Sequence, residues 1–495
     1  MNKACNFKPQ TASALLDNLE QGAGTLAGRQ SLVVLGQLAR SKGAQVYLVG
    51  GTVRELALGR PAVDLDLAVS QGALELAQEL AQALQGTYVL LDRQEGIARV
   101  VRGQEVLDLA DFRAPTLEGD LHGRDFTLNA LALDLEDITA RRPLKLVDPW
   151  GGLADLAQGR LRVVAPENFR EDPLRLLRAF RFAATHGFTL VPETAQAVRR
   201  FGGEFPRVAG ERVHLELFLL LNSPRAHPVL LEMDRLGLLT QVFPELDDLR
   251  GVEQNGYHHL DVLAHSLEAV GGGEEVLAGP GRFFGELAGE VARYAGMTNK
   301  AALVKLAALF HDAGKPQVRE RRADPERYTF YYHERVGLEI FSRVAEHLRL
   351  SQAEARTVNL LIELHMRPFL LMPAFRRGEL TVRALGRLVR AGRRELPGLF
   401  ALAMGDSLAG SGPQKPLDSE QVLGELGEAA FRFLRERLEP QEREPRLITG
   451  DDLIRVFGLS PGPRFRHLLN AVEEAQWEGQ VRTREEALEL VGRML

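Results

Sequence analysis

The segment from Tyr47 to Val69 constrains the fold of this chain more than any other part of the sequence. It reads YLVGGTVRELALGRPAVDLDLAV: an apolar strand, a Gly-Gly turn that opens a helix, and a second apolar run interrupted by two aspartates. Residues two apart on a strand point to the same face, so Asp64 and Asp66 project together while Leu65 and Leu67 face the interior. The segment therefore predicts a strand–helix–strand unit with two carboxylates on one face.

The two carboxylates indicate a magnesium site that serves a phosphorylated substrate. Mg²⁺ is a hard cation that uses one or two protein carboxylates and completes its shell with water and substrate phosphates. Gly50 and Gly51 would let the backbone approach such a substrate closely, and the helix that follows offers unpaired N–H groups to phosphate oxygens. Arg54, one turn into that helix, would add a charged fork. Two surface aspartates beside an ordinary turn are the alternative interpretation.

This segment and four later motifs resemble the class II nucleotidyltransferases, the family of bacterial tRNA CCA-adding enzymes and poly(A) polymerases within the polymerase-beta-like superfamily. The later motifs are GRDFTLNA from Gly123, DPWGGLADL from Asp148, EDPLRLLRAFRFA from Glu171 and ERVHLE from Glu211. The chain departs from the family pattern at Gly123, where an arginine is usual, and at Glu55, where an aspartate is usual. The resemblance implies nucleotidyl transfer to the 3′ end of an RNA.

The resemblance also implies a role for each matching residue. Asp64 and Asp66 would bind catalytic Mg²⁺ in two-metal nucleotidyl transfer. Asp125 would be a third carboxylate that helps to place the attacking 3′-hydroxyl group, and Arg124 and Asn129 would contact phosphate and sugar. Aspartate is also a favoured helix N-cap, and Asp125 could serve in both roles.

Base selection is assigned to one edge of a predicted helix, which carries Asp172, Arg175 and Arg178. At 100° per residue these side chains lie on one side of the helix and the apolar residues on the other, with Arg181 on the apolar side in a structural role. Arginine only donates and ionised aspartate only accepts, so the pair complements an amine beside a ring nitrogen or carbonyl. Cytosine and adenine have such an edge, which favours CTP and ATP. An ordinary surface ion pair is the alternative.

A second constellation of histidines and aspartates lies after residue 250. In its order it resembles the HD phosphohydrolase domain that some members of this family carry. Imidazoles together with carboxylates suit a transition metal such as Ni, Mn, Fe or Zn better than Mg²⁺. A bound metal could activate water against a phosphoester, and an inactive scaffold is the alternative. The ligands implied by the resemblance are His265, His311, Asp312, His333, His365 and Asp406.

The apolar periodicity predicts an α+β protein, in which a polymerase-beta-like domain with a small mixed sheet is followed by an all-α region that includes an HD domain. Helices are expected at 72–84 and 124–133. The glycine-rich, acidic segment Gly271–Gly281 is predicted to be a mobile loop, and 409–417 a linker. The predicted domains are a leader at 1–27, the nucleotidyltransferase domain at 28–160, a nucleotide-selecting and RNA-binding helical region at 161–250, the HD domain at 251–408, and a C-terminal helical tail at 418–495 that is a candidate tRNA contact.

Composition predicts a cytoplasmic protein. The 495-residue chain is 45% hydrophobic and long enough for two to four domains. Its one cysteine, Cys5, cannot form an internal disulfide, no apolar run has the length of a membrane span, and MNKACNFKPQ lacks the apolar core of a signal peptide. No membrane association and no obligate protein partner are expected.

The net charge of −6 does not favour nucleic acid, so RNA contact is expected from local basic patches. The arginine-rich segment from Arg160 to Arg212 is one candidate for holding the RNA end. A second candidate is a helical stripe in which arginines recur at three- and four-residue steps, namely Arg383, Arg387, Arg390 and Arg394.

The connection between Phe112 and Arg124 bears on which nucleotides are added. It contains only eleven residues, Arg113–Gly123. CCA-adding relatives usually carry a longer segment here, linked to the switch from C to A addition. The resemblance thus implies an enzyme that adds C and/or A from CTP and ATP to the 3′ end of tRNA, with CC addition alone as a variant. The alternatives are a poly(A) polymerase that tails RNA from ATP, an HD phosphohydrolase with an RNA-binding front domain, and an inactive RNA-binding module.

Overall fold

The chain divides into two compact units in the computed structural model, which describes residues 7–257, 259–323 and 326–495. Among the described residues, the sheet unit comprises those within 7–216 and 233–242, and the helical unit those within 217–232 and 243–495. Cys5 lies outside the described residues. Within the described ranges, no helix combines the length and apolar character that crossing a bilayer requires.

A seven-stranded mixed sheet forms the centre of the sheet unit. Its strands are β1 (Val46–Val49), β2 (Asp64–Val69), β3 (Thr87–Asp92), β4 (Ile97–Arg102), β5 (Glu105–Asp111), β6 (Ala132–Asp134) and β7 (Leu146–Val147). They are arranged in the order β3-β4-β5-β2-β1-β6-β7, with β2 and β5 parallel and the other neighbours antiparallel. Leu65 and Leu67 are fully buried, as their alternation with Asp64 and Asp66 predicts.

Thirteen of the described α-helices lie wholly or partly in the sheet unit, some between the strands in the chain and others before or after them. They are α1 (Ala12–Leu26), α2 (Gln30–Ser41), α3 (Gly50–Ala57), α4 (Ala73–Leu84), α5 (Leu117–His122), α6 (Leu135–Thr139), α7 (Gly152–Gln158), α8 (Asn168–Glu171), α9 (Leu174–His186), α10 (Pro192–Phe201), α11 (Gly210–Leu221), α12 (Ala226–Arg235) and α13 (Leu239–Val242). The two-residue strands β8 (Arg160–Leu161) and β9 (Thr189–Leu190) pair in parallel. The last residues of α11 and the first residues of α12 belong to the helical unit.

Residues 124–133 do not form the helix that the sequence predicts. They contain a 3-10 turn at Thr127–Asn129, and β6 begins at Ala132 and pairs with β1. Pairing with β1 buries Ala132 and Leu133 completely, a tertiary gain that overrides local helix propensity.

The segment predicted as a leader contains α1, which packs against α3. Leu15, Leu19, Ala23 and Leu26 recur at three- and four-residue spacing and are all buried. A Cβ added to Gly22 would lie 2.8 Å from the Leu56 side chain, so the two helices are in close contact. The leader assignment did not account for this packing, and the predicted boundary at residue 27 falls between two helices of one unit.

The helical unit is built from α-helices with one short hairpin, β10 (Glu320–Ala323) with β11 (Glu326–Thr329). Its helices are α14 (Val262–Ala278), α15 (Leu287–Ala295), α16 (Lys300–Phe310), α17 (Lys315–Val318), α18 (His333–His347), α19 (Gln352–Leu364), α20 (Met366–Arg376), α21 (Val382–Gly392), α22 (Leu396–Ala409), α23 (Ser419–Phe433), α24 (Glu439–Arg443), α25 (Gly450–Phe457), α26 (Pro463–Trp477) and α27 (Arg484–Met494). Irregular backbone joins α22 to α23 at the predicted linker.

The prediction of a mobile loop at Gly271–Gly281 is wrong, because α14 continues to Ala278. Its glycines instead allow α14 to cross α22 at close range. A Cβ on Gly272 would lie 2.5 Å from the carbonyl oxygen of Gly405, and a Cβ on Gly405 would lie 2.5 Å from the backbone nitrogen of Gly273. Glycine lowers helix propensity, but here only glycine permits the two backbones to approach so closely.

Three arginines of the predicted stripe lie on α21 and face glutamates at the C-terminal end of α26, whereas Arg394 follows the end of α21 at Gly392 and is not part of this helix. The three arginines on α21 have glutamate partners within the helical unit, so their charge is largely neutralised there and the stripe is a weaker candidate for RNA contact than the sequence suggests. The pairs are Arg383 with Glu478 at 2.7 Å, Arg387 with Glu474 at 2.6 Å and Arg390 with Glu473 at 2.8 Å.

Replacing Gly405 by alanine should destabilise the helical unit, because the new methyl group would overlap the backbone of Gly273. Overpacking typically costs roughly 1–3 kcal/mol, which thermal unfolding of the full chain followed by circular dichroism would register as a lower Tm. Gly289→Ala in α15 is the matched control, since nothing lies within 4 Å of a Cβ there. That variant should be neutral or stabilised by up to about 1 kcal/mol. Equal Tm values for the two variants would contradict the close-packing explanation.

Candidate active site

Three carboxylates lie on neighbouring strands at the centre of the sheet. Asp64 and Asp66 are on β2, and Asp66 is in direct register with Asp108 on the parallel strand β5. Side chains at paired positions point to the same face of a sheet, so β5 contributes a third carboxylate to the predicted pair. Asp108 is absent from the residues predicted above. Its alternation with Leu107 and Leu109 could have placed it on the polar face, but the pairing of β5 with β2 could not be read from either strand alone.

The carboxylates create a negative environment that suits a hard cation. Burial raises the pKa of Asp66, and the neighbouring charge of Asp108 raises it further, while Arg124 opposes the rise. Arg99 on β4 donates to both oxygens of Asp108, at 2.7 and 2.8 Å. Clustered carboxylate oxygens are the donors that Mg²⁺ takes in proteins, so these residues fit the predicted metal.

The two glycines after β1 lie against the polar groups of this site. Gly50 has a φ of +62°, and a Cβ there would be 2.9 Å from Nη1 of Arg124. A Cβ on Gly51 would be 3.0 Å from Oδ2 of Asp66. The positive φ favours glycine at Gly50, and at both positions the absence of a Cβ leaves room for the arginine and the carboxylate.

Arg54 is buried beside the glycines and is held on two sides. Its Nη1 donates to Oδ1 of Asn129 at 2.5 Å, and its Nε and Nη2 donate to Oε1 of Glu55 at 3.0 and 2.9 Å. Nε2 of His186 lies 3.4 Å from the same glutamate oxygen. Burial would raise the pKa of Glu55, but the contacts with His186 and Arg54 lower it to about 2. Glu55, a departure from the family pattern, thus orients the arginine that follows the Gly-Gly turn.

Asp125 is buried, and its carboxylate accepts four hydrogen bonds. Oδ1 accepts from the backbone N–H of Phe126 at 2.8 Å and from Nδ2 of Asn129 at 2.9 Å. Oδ2 accepts from Nε and Nη2 of Arg178 at 3.0 and 2.9 Å. Although burial opposes ionisation, Arg178 and Asn129 lower the pKa of Asp125 to about 2. All the lone-pair positions of a carboxylate are thereby used, so the predicted contact with an attacking hydroxyl group would require one of these bonds to break.

Arg178 links Asp125 to α11. Its Nη1 donates to Oε1 of Glu216 at 2.8 Å, and Nε of Arg181 donates to Oε2 of the same glutamate at 2.8 Å. Arg181 also lies over the ring of Phe182, 3.7 Å from its centroid. The structural role predicted for Arg181 agrees with these contacts. The side chain of Arg178 also donates its hydrogen bonds to protein groups, namely the carboxylates of Asp125 and Glu216.

Asp172 and Arg175 lie at the start of α9. They do not pair with each other, as an ordinary surface ion pair between them would require. Oδ1 and Oδ2 of Asp172 accept from Nη1 and Nη2 of Arg212 at 3.1 and 2.9 Å. Arg175 is buried, with its Nη1 3.4 Å from the backbone oxygen of Asn168. Arg212 belongs to the ERVHLE motif and was not singled out from the sequence, although its place in that motif is a signal for it.

Two adjoining cavities of the sheet unit bring most of the predicted residues together. One cavity, of about 390 Å³, is lined by the Gly-Gly turn, by Asp66 and Asp108 and by Arg54. The other, of about 260 Å³, is lined by the residues predicted to select the base, Asp172 and Arg175. Arg113, at the start of the short connection, lines both cavities and was not predicted. The predicted residues around the first are Gly50, Gly51, Arg54, Asp66, Arg124, Asp125, Asn129 and Arg178, and around the second Arg124, Asp125, Asp172, Arg175 and Arg178. Asp64 is exposed at the start of β2 and is not among the lining residues.

All six residues predicted for the HD site lie together inside the helical unit. His265 is on α14 and Asp406 on α22, and the close crossing of these helices places Nε2 of His265 2.9 Å from Oδ1 of Asp406. His311 and Asp312 follow α16, His333 begins α18, and His365 joins α19 to α20. Each of these side chains is at least nine-tenths buried. Four imidazoles and two carboxylates form a donor set that fits a transition metal.

Hydrogen bonds to the backbone fix the histidine rings of this cluster. Nδ1 of His311, His333 and His365 lies 2.7, 2.8 and 2.6 Å from a carbonyl oxygen three residues earlier. A carbonyl can only accept, so each Nδ1 carries the proton and each Nε2 points inward. Such second contacts are typical of histidines that bind metals.

Comparison with known proteins assigns the chain to a class of enzymes. Models of protein families match the poly A polymerase head domain at residues 46–162, a probable RNA and SrmB-binding site of polymerase A at 187–249, an HD domain at 282–396, and a putative domain 2 of tRNA nucleotidyltransferases at 429–491. These matches define a nucleotidyltransferase with an HD domain, as the motifs predict.

Relatives over almost the whole chain identify the family. The A-adding tRNA nucleotidyltransferase of Deinococcus radiodurans is 36% identical over 90% of this chain and 94% of its own length. The CC-adding tRNA nucleotidyltransferase of Thermus thermophilus is 36% identical over 89% of this chain and 92% of its own length. The chain belongs to the tRNA nucleotidyltransferase family. The structure of the Thermotoga maritima CCA-adding enzyme complexed with tRNA shares its fold, with a TM-score of 0.61 and 21% identity over 94% of this chain and 95% of that one.

The variant Arg178→Met should be strongly destabilised, because it leaves the carboxylate of Asp125 buried without its partner. Removing one member of a buried ion pair typically costs roughly 3–5 kcal/mol, measurable by urea unfolding of the full chain. The loss should shrink as the pH is lowered toward 2, since protonation of Asp125 removes the charge that the arginine stabilises. Arg200→Met is the control: this exposed arginine pairs with exposed Glu167 at 3.5 Å and should contribute less than about 1 kcal/mol. Similar losses in both variants would contradict the assignment.

Proposed function

We propose that the sheet unit is a template-independent RNA nucleotidyltransferase that adds C and/or A from CTP and ATP to the 3′ end of tRNA in the cytoplasm. The observation that carries this proposal is the meeting of carboxylates from two parallel strands with a Gly-Gly turn, the buried Arg54 and several half-buried arginines at one cavity. A cation site beside an arginine-lined cavity matches a nucleoside triphosphate, which carries both phosphates and their metal ions.

Asp64, Asp66 and Asp108 would hold Mg²⁺, which supplies charge neutralisation on the triphosphate and activation of the 3′-hydroxyl group. Arg54 and Arg124 bind phosphate oxygens from either side of the Gly-Gly turn. In the reaction, the 3′-oxygen of the RNA forms a bond to the α-phosphorus of the nucleotide while the bond to pyrophosphate breaks. Asp125 acts mainly by positioning, because its four hydrogen bonds hold the turn that carries Arg124 and Asn129.

Base selection rests on Asp172 and Arg175. Oδ2 of Asp172 accepts one hydrogen bond from Arg212, at 2.9 Å, and retains a second lone pair for the amine of cytosine or adenine. Arg212 orients this carboxylate from outside the helix, and Arg175 supplies a donor in the same cavity. Uracil and guanine would place an oxygen opposite the carboxylate, which would leave two acceptors facing each other.

Addition of CC alone is the second candidate, and the short connection Arg113–Gly123 favours it. This connection is compact: Asp120 accepts from the backbone N–H of Arg113 and from Arg124, and Leu121 is completely buried. A folded, hydrogen-bonded connection leaves little chain for a rearrangement between C and A addition. The relatives do not decide the matter, since A-adding and CC-adding enzymes are equally identical to this chain.

The HD cluster of the helical unit is proposed to bind a transition metal such as Ni, Mn, Fe or Zn. Such a metal would supply activated water for hydrolysis of a phosphoester. In this role the protein residues orient the ligands, through the backbone hydrogen bonds of the histidine rings, and exclude bulk water from the cluster.

The double variant Asp64→Asn/Asp66→Asn should lose nucleotide incorporation. Removing cation ligands forfeits several kcal/mol of transition-state stabilisation, which corresponds to roughly a thousand-fold or greater loss in rate. The assay is incorporation of labelled nucleotide into tRNA, with Asp17→Asn on the exposed side of α1 as the control that keeps full activity. Unchanged incorporation by the double variant would refute the mechanism. Phosphatase activity in a wild-type protein that incorporates no nucleotide would favour the HD-centred alternative.

Separate nucleotides should reveal which ends the enzyme makes. If the enzyme adds C, tRNA lacking its 3′ end should gain two residues with CTP alone. UTP and GTP should be used poorly, because the carbonyl oxygen of their base would face an oxygen of Asp172. ATP supplied after CTP should add one further residue if the enzyme makes the complete end, and none if it adds CC alone. Product lengths on a sequencing gel decide between these results. Long tails on any RNA with ATP alone would instead identify a poly(A) polymerase.

A further inference from the structure

The contacts of Arg54 leave part of its guanidinium group available to a ligand. Its Nη1 donates to Oδ1 of Asn129, and its Nε and Nη2 both donate to Oε1 of Glu55. An arginine side chain has five N–H groups, so two of them have no acceptor in the part of the chain that the structure describes. Arg54 lines the cavity of about 390 Å³, where these two groups could donate to a phosphate. Their direction therefore depends on how Asn129 and Glu55 are held.

One oxygen of Glu55 meets both Arg54 and a histidine. Oε1 accepts the two hydrogen bonds from Arg54, and Nε2 of His186 lies 3.4 Å from the same atom. The other oxygen, Oε2, accepts from Nη1 of Arg60 at 3.4 Å, and the side chain of Arg60 is half exposed. A carboxylate between two arginines can turn from one toward the other. The contact with His186 opposes this turn, because it holds Oε1 beside Arg54.

The ring of His186 is fixed independently of Glu55. His186 is the last residue of α9, and its ring packs against the rings of Phe182 and Phe188, with centroids 5.5 and 5.1 Å away. Its Nδ1 lies 2.8 Å from Oγ1 of Thr185. Only 11% of the side chain is exposed. The histidine is thus a rigid support, whereas the glutamate that it contacts has several rotatable bonds.

The proton of the neutral ring lies on the nitrogen that faces Glu55. Burial lowers the pKa of His186, a change that the adjacent Glu55 opposes. The charges of Arg54 and Arg181 lower this pKa further, so the ring is neutral at pH 7. The carboxylate of Glu55, with a pKa of about 2, can only accept a hydrogen bond. Nε2 therefore carries the proton, and Nδ1 accepts from the hydroxyl group of Thr185, which lies at hydrogen-bond distance.

We propose that His186 is a positioning residue for nucleotide binding, which holds Glu55 against Arg54 and thereby directs the two remaining N–H groups of Arg54 to the triphosphate. His186 is not among the residues that line either cavity, so it acts through Glu55. The inference rests on the proposed nucleotidyl transfer and adds to it a residue outside the family motifs. It also gives the glutamate that departs from the family pattern a partner: its extra methylene carries the carboxylate to the point where one oxygen meets both side chains.

Two substitutions at His186 separate positioning from packing. His186→Phe keeps an aromatic ring against Phe182 and Phe188 but has no donor, whereas His186→Gln loses the ring and keeps an N–H donor. In His186→Phe, the KM for the nucleotide that the wild type incorporates into tRNA should rise roughly three- to fivefold, the value of one ordinary hydrogen bond. The kcat should change little, because Arg54 holds phosphate equally in the ground state and the transition state. In His186→Gln, the KM should lie closer to that of the wild type. The reverse order would show a packing role and overturn the inference.

His347→Phe is the matched control, because His347 is likewise the last residue of a helix, α18, and is exposed. Its KM should equal that of the wild type. In a Glu55→Ala background, His186→Phe should raise the KM no further, since the carboxylate through which it acts is absent. A second rise of the same size would overturn action through Glu55.

Equilibrium binding of the same nucleotide to the full chain, without tRNA, gives a readout that does not depend on turnover. The Kd should rise in His186→Phe by the same factor as the KM, at an unchanged Tm. An unchanged Kd and KM in this variant, in an enzyme that incorporates nucleotide, would overturn the role of His186 alone. A wild-type protein that incorporates no nucleotide would instead overturn the proposed function, and this inference with it.

Discussion

The buried carboxylate of Asp125 is the constraint on which the rest of the sheet unit depends. A charge in this position is tolerated only because Arg178, Asn129 and a backbone N–H surround it. From it a continuous series of polar contacts extends in two directions, through Arg178 to Glu216 on α11, and through Asn129 to Arg54 on α3. The Gly-Gly turn, the RDFTLN turn and the helices behind them are thereby held in one arrangement, which gives the site its geometry before any substrate is bound.

The sequence predicts well those parts of the site that local pattern determines. Alternation over a few residues was enough to place Asp64 and Asp66 on one face of β2, and the family motifs contain many of the other residues that line the two cavities. Asp108 could not be predicted in the same way, because its place beside Asp66 depends on a parallel pairing between strands with a helix and two other strands between them in the chain. The partners of Asp125 and Asp172 were missed for the same reason: Arg178 and Arg212 are 53 and 40 residues away.

Two errors in the predicted fold have a common physical origin. Residues 124–133 are a good local match to a helix, and Gly271–Gly281 a good local match to a loop, yet the first contains a turn and a strand and the second is mostly helix. In both segments, contact with a distant segment outweighs local propensity. Ala132–Asp134 pair with strand β1, and the glycines of α14 pack against the backbone of Gly405. Glycine in an isolated segment lowers helix propensity, whereas glycine at a helix crossing allows two helices to pack closely.

The helix crossing at Gly272 and Gly405 has a consequence for the order of events during folding. His265 and Asp406 meet across it, although 141 residues separate them in the chain. A contact of such long range forms only after the loss of considerable chain entropy. Until α22 has been synthesised and has docked on α14, the histidines that precede it have Asp312 as a neighbour but lack the carboxylate of Asp406, so the cluster is incomplete. The complete set of donor side chains is thus present only in a chain whose helical unit has folded through α22.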